Sequence, residues 1–338
     1  MDRVYRPCLL DGMFYADFRN ALYLFPVLRQ FVHNVLLFLS IAFLVVFVGI
    51  ILLGGTGLLR NVKYHLGMWD LTYTRMHEVS EYKNVDILFV GSSHCYRTFD
   101  TRFYSAQGLR TFNMGSSNQT PLQTLMLLRL YLDSLSPRMV VIEVHPDLMS
   151  NDGVESSIYL ANNMLPSFEM ARMSLTTYNL KSVLSMIYSA VRNTFFEDYS
   201  SYIEPLEDAE NRYVPGGFVE RKGGIYQPEP HPAVSIDMKD FQLDALQKCL
   251  SLLSKRGIPY LLVEVPGTEA LMDAYEGHEE FVRQMQRAGN YFYLRPNGLC
   301  DTLHFYDDDH FNQRGVELYN RCFYDSVLKP FIDKNHLL

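Results

Sequence analysis

The chain has 338 residues, with 30 Lys and Arg against 38 Asp and Glu, so its formal net charge is -8. This balance, without any run of basic residues, excludes a surface that holds nucleic acid by charge. With 48% hydrophobic and 20% charged residues the chain is globular in composition and long enough for one large core. Its five cysteines show neither CxxC nor Cys/His spacing, so neither a zinc site nor a disulfide framework is indicated.

The first predicted element is a transmembrane helix. Residues 31–59 contain no Asp, Glu, Lys or Arg, and the stretch from Val35 to Leu53 is almost continuous Leu, Ile, Val and Phe. Such a run is long enough to cross a hydrocarbon layer of about 30 Å. A cleavable signal peptide would be shorter and would begin earlier. The preceding residues 1–30 mix aromatic residues with arginine, as an interfacial segment or a partly ordered tail would.

The basic residues around the apolar run give its orientation. Four precede it and two follow it closely: Arg3, Arg6, Arg19 and Arg29, then Arg60 and Lys63. An excess of Lys and Arg favours the cytoplasmic side. We therefore expect a single-pass protein of the cytoplasmic membrane whose catalytic domain is extracytoplasmic, or periplasmic.

After a linker over residues 60–84, strands and helices alternate in a domain over residues 85–338. The predicted strands are 86–90, 109–115, 139–144, 258–266 and 291–294, and the predicted helices are 101–107, 121–135, 237–255, 276–288 and 315–332. Short links between strand and helix predict an α/β fold with a parallel sheet covered on both faces. An insertion over about 148–236, rich in Tyr, Phe, Met, Ser and Asn, interrupts this order. We expect its helices and loops to cover the carboxyl edge of the sheet, where such folds bind substrates.

The first strand ends in Gly91-Ser92-Ser93-His94. A buried strand that closes in Gly-Ser-Ser predicts a tight turn that presents a hydroxyl to a cleft. Such turns also occur in α/β proteins that carry out no chemistry. Ser93 is the candidate nucleophile only because a distant segment supplies a base and an acid.

That segment is Asp307-Asp308-Asp309-His310, directly before the last helix. The spacing of Asp307 and His310 lets a carboxylate accept from the imidazole Nδ1-H while Nε2 takes a serine proton. By itself the acidic run is more typical of a solvated loop that caps the helix N-terminus. Consecutive carboxylates near His304 rarely converge on one ion, so we expect no metal and no other cofactor.

Together these residues resemble the SGNH (GDSL-like) hydrolase superfamily. Its first, second and fifth blocks are similar to Gly91-Ser92-Ser93-His94, Asn113-Met114-Gly115 and Asp307-x-x-His310-Phe311-Asn312-x-x-Gly315. With the single N-terminal span, the chain most resembles the membrane-anchored branch of the D-alanyl transfer protein DltD and the alginate acetylation proteins. The resemblance covers about residues 85–328, without the insertion.

The resemblance implies a three-layer flavodoxin-like SGNH fold with a parallel sheet. It also implies a triad in which Ser93 is the nucleophile, His310 the general base and Asp307 its orienting acid. The oxyanion hole would use the backbone N–H groups of Ser93 and Gly115.

The third block departs from the family pattern. Where the family has Gly-x-Asn-Asp, the chain has Glu143-Val144-His145-Pro146-Asp147. The missing asparagine donor could be replaced by Asn118 or His145, although each is also a common structural residue. His94, Arg97 and His145 are further candidates for substrate binding, and a side chain packed under the turn is an equal alternative for His94.

The sequence therefore predicts a membrane-anchored, extracytoplasmic O-acyltransferase that modifies cell-surface polysaccharide or another envelope glycan through an acyl-Ser93 intermediate. By family analogy its partners would be the lipid bilayer, a glycan acceptor and a polytopic membrane acyltransferase. The alternatives are an esterase of the same fold and a catalytically reduced scaffold that binds glycan.

Overall fold

The structure is a computed structural model that describes residues 11–56, 58–67, 70–224 and 226–337. Arg3 and Arg6, on which the predicted orientation partly depends, lie outside the described residues. The chain forms two compact units, Met1–Leu59 and Arg60–Leu338.

The first unit contains one long helix, α1, over Asp11–Leu53. Its part from Pro26 to Leu53 is long enough to cross a membrane, and an 18-residue window within it has a mean hydropathy of 3.2. The predicted apolar helix is therefore present, and it begins well before residue 31. Its length and composition fit a single-pass anchor or a signal sequence.

The second unit contains the strands β1 to β9. In chain order these are Ile87–Val90, Thr111–Asn113, Met139–Glu143, Asn211–Val214, Phe218–Arg221, Val234–Ser235, Tyr260–Glu264, Tyr275–Glu276 and Tyr291–Tyr293. Five of them form a parallel sheet in the order β2-β1-β3-β7-β9. This is the flavodoxin-like order of a doubly wound sheet. The predicted α/β fold with a parallel sheet is confirmed.

The helices α2 to α16 follow one another along the same unit. They cover Thr72–Glu78, Ser93–Thr98, Thr101–Ala106, Pro121–Leu135, Pro146–Ser150, Val154–Asn163, Phe168–Thr176, Leu180–Phe195, Glu197–Ser201, Asp240–Lys255, Glu269–Ala274, His278–Ala288, Asp301–His304, Gln313–Phe323 and Lys329–Asn335.

Helices cover both faces of the central sheet. Leu88 and Ile142 belong to a core that includes side chains of α5, α11 and α13. Phe89 and Val141, on the opposite face, belong to a second core that includes Phe323 of α15. Strands buried on both faces have to be apolar at every position, which is why the sequence shows short unbroken apolar runs.

The last helix is divided where one continuous helix was predicted. A π-helical turn, Tyr324–Leu328, separates α15 from α16. Pro330 lies in the first turn of α16 and lacks the N–H that would bond to the carbonyl of Ser326. The missing bond accounts for the change of helical register at this point.

The predicted linker, residues 60–84, is part of the compact unit. Its helix α2 contributes Arg75, which is fully buried. The guanidinium donates to the carbonyl oxygens of Gly115 at 2.9 Å and Gly217 at 2.8 Å. A buried charge is stable only when it is hydrogen-bonded, so these bonds hold the segment on the domain.

The insertion contains an antiparallel hairpin, β4–β5, that the sequence analysis did not predict. Its turn packs on the end of β2, where the Asn113 N–H donates to the Gly216 carbonyl at 2.7 Å. A Cβ on Gly217, at φ +97°, would lie 2.0 Å from the Asn113 carbonyl oxygen. Only glycine fits there, and this contact brings the hairpin to the carboxyl edge of the sheet.

Candidate active site

The turn after β1 places Ser93 at the first position of α3. Gly91 has φ +153°, and a Cβ there would lie 2.5 Å from the Glu143 carboxylate. Ser92 caps the helix, because its Oγ accepts from the His94 N–H at 3.1 Å. The Ser92 N–H donates to Glu143 Oε2 at 2.7 Å. The turn is thus held from the end of β3, and its conformation is fixed.

Ser93 and Ser92 differ in access to solvent. Ser92 is fully buried, and its Oγ also lies 3.0 Å from His94 Nδ1. Ser93 is partly exposed, and its hydroxyl makes no hydrogen bond with any described residue. The first N–H groups of a helix have no partner within it. The Ser93 N–H can therefore face an oxygen outside the helix.

His310 is held by two carboxylates. Its Nδ1 lies 3.0 Å from Asp307 Oδ1 and 2.6 Å from Asp309 Oδ1. Asp307 Oδ1 also accepts the His310 backbone N–H at 2.7 Å, which fixes the loop. The Nε2 atom is buried and has no hydrogen-bond partner among the described residues. The carboxylates thus orient the ring through Nδ1, and Nε2 makes no hydrogen bond with a described residue. This is the arrangement that a histidine needs to accept a proton at Nε2.

The two distant segments meet at His94. Its ring stacks on that of His310, with centroids 4.9 Å apart and planes inclined by 14°. Its Nε2 lies 3.5 Å from Asp309 Oδ2. His145 stacks on the other face of His94 at 4.2 Å. The residue next to Ser93 is therefore in contact with the base, although no hydrogen bond joins Ser93 to His310 in the described structure.

Burial and neighbouring charges set the protonation states of His310 and His145. Burial works against the imidazolium of His310, but the charge of Asp309 and the bond to Asp307 raise its pKa to about 10. The same attraction holds the pKa of Asp309 well below its usual range, against the effect of burial. Burial, and then the charge of His94, lowers the pKa of His145 well below its ordinary value. His310 is thus charged at neutral pH, whereas His145 is neutral.

A cavity of about 600 Å³ opens onto this site. Its lining comes from α3, the β4–β5 hairpin with the loop before it, and the loop before α15: Arg97, Asp208, Ala209, Glu210, Asn211, Arg221, Tyr306, Asp307 and His310. The insertion and the predicted base therefore share one cleft. This agrees with the expectation that the insertion lies over the carboxyl edge of the sheet.

Two guanidinium groups form a wall of the cleft. Arg97 and Arg221 both donate to Asn211 Oδ1, at 3.1 and 3.0 Å. Arg221 also lies over the Tyr306 ring at 3.9 Å and pairs with Glu210 at 3.0 Å. Of the three predicted substrate-binding residues, Arg97 thus lines the cavity. His94 and His145, at 4% and 2% exposed, lie beneath the site and position other groups.

The groups expected to donate hydrogen bonds to the oxyanion differ in whether they already bond to another residue. The Gly115 N–H donates to Asn113 Oδ1 at 3.1 Å, so in this structure it is already occupied. Asn118 is exposed at φ +52° in a turn, and its side chain makes no hydrogen bond with a described residue. The oxyanion role of Gly115 therefore stays a prediction. The Ser93 N–H is the donor that the geometry leaves available.

The sequence analysis missed two acidic residues of the site. Glu143, 3% exposed, holds the nucleophile turn, and Asp309 makes the shortest contact to His310. The sequence signal for Glu143 was an acidic residue at the end of the apolar run Met139–Glu143. Spacing alone did not distinguish Asp309 from its neighbours Asp307 and Asp308.

One atom each of His94, Asp309 and His310 could bind a metal, since these atoms lie within 4.8 Å of one another. The Nδ1 of His310 and the Nε2 of His94 are both directed at Asp309. Mutual ion pairing therefore accounts for the cluster.

No protein-family model and no curated protein matches the chain. Among solved structures, the chain is similar to a GDSL-like lipase from Bacteroides thetaiotaomicron, with 11% identity over 78% of this chain and 100% of that chain and a TM-score of 0.37. It is also similar to a catalytic mutant of an acetylxylan esterase from Geobacillus stearothermophilus, with 12% identity over 72% and 93% of the two chains and a TM-score of 0.32.

The charge state of His310 gives a testable pH dependence. A general base has to be neutral, so kcat/KM for ester cleavage should rise with pH along a limb well above the ordinary histidine pKa of about 6.5. Asp309→Asn removes the closest negative charge, which destabilises the imidazolium and should move this limb to lower pH.

Asp308→Asn is the matched control, because Asp308 Oδ2 faces His231 at 3.2 Å instead. The rise of kcat/KM with pH in Asp308→Asn should occur at the same pH as in the wild type. An Asp309→Asn profile that coincides with the wild-type profile would contradict the assigned ion pair.

Proposed function

We propose that the chain is a membrane-anchored serine acyltransferase of SGNH type that acts outside the cytoplasmic membrane on an envelope glycan. The acyl-transfer chemistry in this proposal is supported by the surroundings of His310. Two carboxylates contact its Nδ1, and its Nε2 makes no hydrogen bond with a described residue. Its ring stacks on His94, the residue that follows Ser93. The triad of Ser93, His310 and Asp307 belongs to this proposal, and Asp309 joins Asp307 in orienting the base.

In the proposed reaction, Ser93 Oγ attacks the carbonyl carbon of an acyl ester while its proton passes to His310 Nε2. The negative charge on the carbonyl oxygen is stabilised by the Ser93 N–H. His310 then gives the proton to the leaving alkoxide, and an acyl-serine remains. An acceptor hydroxyl loses its proton to His310 as it attacks the acyl-serine, which regenerates the free serine.

The acceptor separates transfer from hydrolysis. A sugar hydroxyl gives an O-acyl glycan, and water gives a free acid. The cleft has polar and charged walls, including Arg97, Asn211 and Arg221, which suit a polyhydroxylated acceptor. A polytopic membrane acyltransferase that delivers the acyl group would be a partner by family analogy alone.

The test uses the full chain in detergent with an aryl acetate, with and without a polysaccharide acceptor. Ser93→Ala should lower turnover by at least about 10³-fold, because the nucleophile is lost. Turnover that rises with acceptor and yields acylated polysaccharide supports transfer. Turnover that does not change when the acceptor is added indicates an esterase. The absence of Ser93-dependent turnover indicates a scaffold.

Ser92→Ala is the matched control, one residue away. It removes the helix cap of α3 and should cost about 1 kcal/mol of stability, measured as a lower Tm. Its turnover should stay within about tenfold of wild type, since Ser92 is buried. If Ser92→Ala is as inactive as Ser93→Ala, the assignment of the nucleophile is wrong.

The proposed side of the membrane has its own test. Cys300 is exposed in the second unit. In right-side-out membrane vesicles a membrane-impermeant maleimide should label Cys300, and Cys300→Ser should abolish that labelling. Labelling of Cys300 only after the vesicles are opened would place the domain in the cytoplasm.

A further inference from the structure

Helix α9 buries a polar face and directs an apolar face outward. Its buried face carries Ser182, Ser185, Ser189 and Asn193, which recur at helical spacing. Its opposite face is entirely apolar apart from Thr194 and carries Leu180, Val183, Leu184, Ile187, Val191 and Phe195. The four residues in the middle of this face, Val183, Leu184, Ile187 and Val191, are partly buried, and the two at its ends are exposed. Leu180 is 65% exposed and Phe195 is 78% exposed. A surface helix of a globular protein normally shows the reverse arrangement.

The polar face of α9 is fixed by hydrogen bonds and cannot turn outward. Asn193 Nδ2 donates to the Met164 carbonyl at 2.8 Å, and Ser189 Oγ bonds to the Asn162 side chain at 2.6 Å. Rotation of the helix would leave these buried polar groups without hydrogen-bond partners, which is unfavourable. The apolar face is therefore held toward the outside of the domain.

The chain that follows the apolar segment packs on the same helix. The Lys63 N–H donates to Ser185 Oγ at 2.9 Å, and Tyr64 Oη donates to Asn193 Oδ1 at 2.8 Å. Only residues 54–62 separate Lys63 from the end of α1. An extended chain covers at most ~3.6 Å per residue, so α9 is tied to within roughly 30 Å of a bilayer that holds α1.

Exposed apolar side chains concentrate in the stretch of chain 165–206, which includes α9. Among the described residues beyond 60, two large exposed apolar side chains, Tyr293 and Leu303, lie elsewhere. The other nine are Leu165, Phe168, Leu175, Tyr178, Leu180, Phe195, Phe196, Ile203 and Leu206. Aromatic and aliphatic side chains of this kind are typical of helices in the interfacial layer of a membrane.

We propose that the apolar face of α9, defined as Leu180, Val183, Leu184, Ile187, Val191 and Phe195, lies in the headgroup layer of the bilayer that anchors the chain. This inference rests on the membrane-anchor part of the proposed function. With 16 residues, α9 is too short to span the bilayer, so it lies along the surface. The domain is thus held against the membrane by a second contact, which restricts the directions in which its cleft can face.

The test uses the full chain with a specific protease sequence inserted between Leu59 and Arg60. The chain is reconstituted in vesicles of phosphatidylcholine and phosphatidylglycerol and then cleaved, and the vesicles are floated. The released domain should float with the vesicles, also at high salt. Leu180→Glu and Phe195→Glu should each lower its vesicle-bound fraction relative to the free fraction by about tenfold.

Leu303→Glu is the matched control, because Leu303 is 52% exposed on another part of the domain. It should leave the bound fraction unchanged. Unchanged circular dichroism and ester turnover show that each variant is folded.

The proposal is overturned if the cleaved wild-type domain leaves the vesicles, or if the two variants bind as wild type does. Retention by native membranes but not by lipid vesicles would also overturn it, in favour of a protein partner. Release of the uncleaved chain by alkaline carbonate would instead refute the anchor, and loss of Ser93 dependence would refute the catalysis. These outcomes are therefore distinguishable.

Discussion

The contact on which the site depends is the Asp309 carboxylate between two imidazoles, 2.6 Å from His310 Nδ1 and 3.5 Å from His94 Nε2. It joins the turn after the first strand to the loop before α15, although more than 200 residues separate them. Because His94 is buried and Asp309 and His310 are only partly exposed, opposite charges there attract more strongly than they would in water. The same attraction orients the His310 ring and raises its pKa.

Parallel strands explain why these groups converge. All five strands of the central sheet end at one edge, so the turn after β1, Glu143 at the end of β3 and the hairpin that covers β2 share a single region. Gly217 lets the hairpin touch the backbone of Asn113, and Arg75 ties the segment after the apolar helix to the same edge. The insertion thus builds a wall of the cleft.

The sequence predicted the features whose cause is local. Unbroken apolar runs identified the strands, and the spacing of Asp307 and His310 predicted their contact, seen at 3.0 Å. Features set by tertiary packing were missed. The buried helix α3 has only six residues, and the hairpin turn was interpreted only as a loop. Periodicity reveals two faces on α9 but not which face meets the core, because its serines are buried by partners from distant segments.

The central claim is that Ser93 acts as a nucleophile because His310 can take its proton. The most direct measurement is mass spectrometry of the full chain after treatment with a fluorophosphonate, which reacts with activated serine hydroxyls. The account predicts one adduct, on Ser93, that forms faster as pH rises and does not form in His310→Ala. An adduct on Ser92, or an equal rate of adduct formation in His310→Ala, would contradict it.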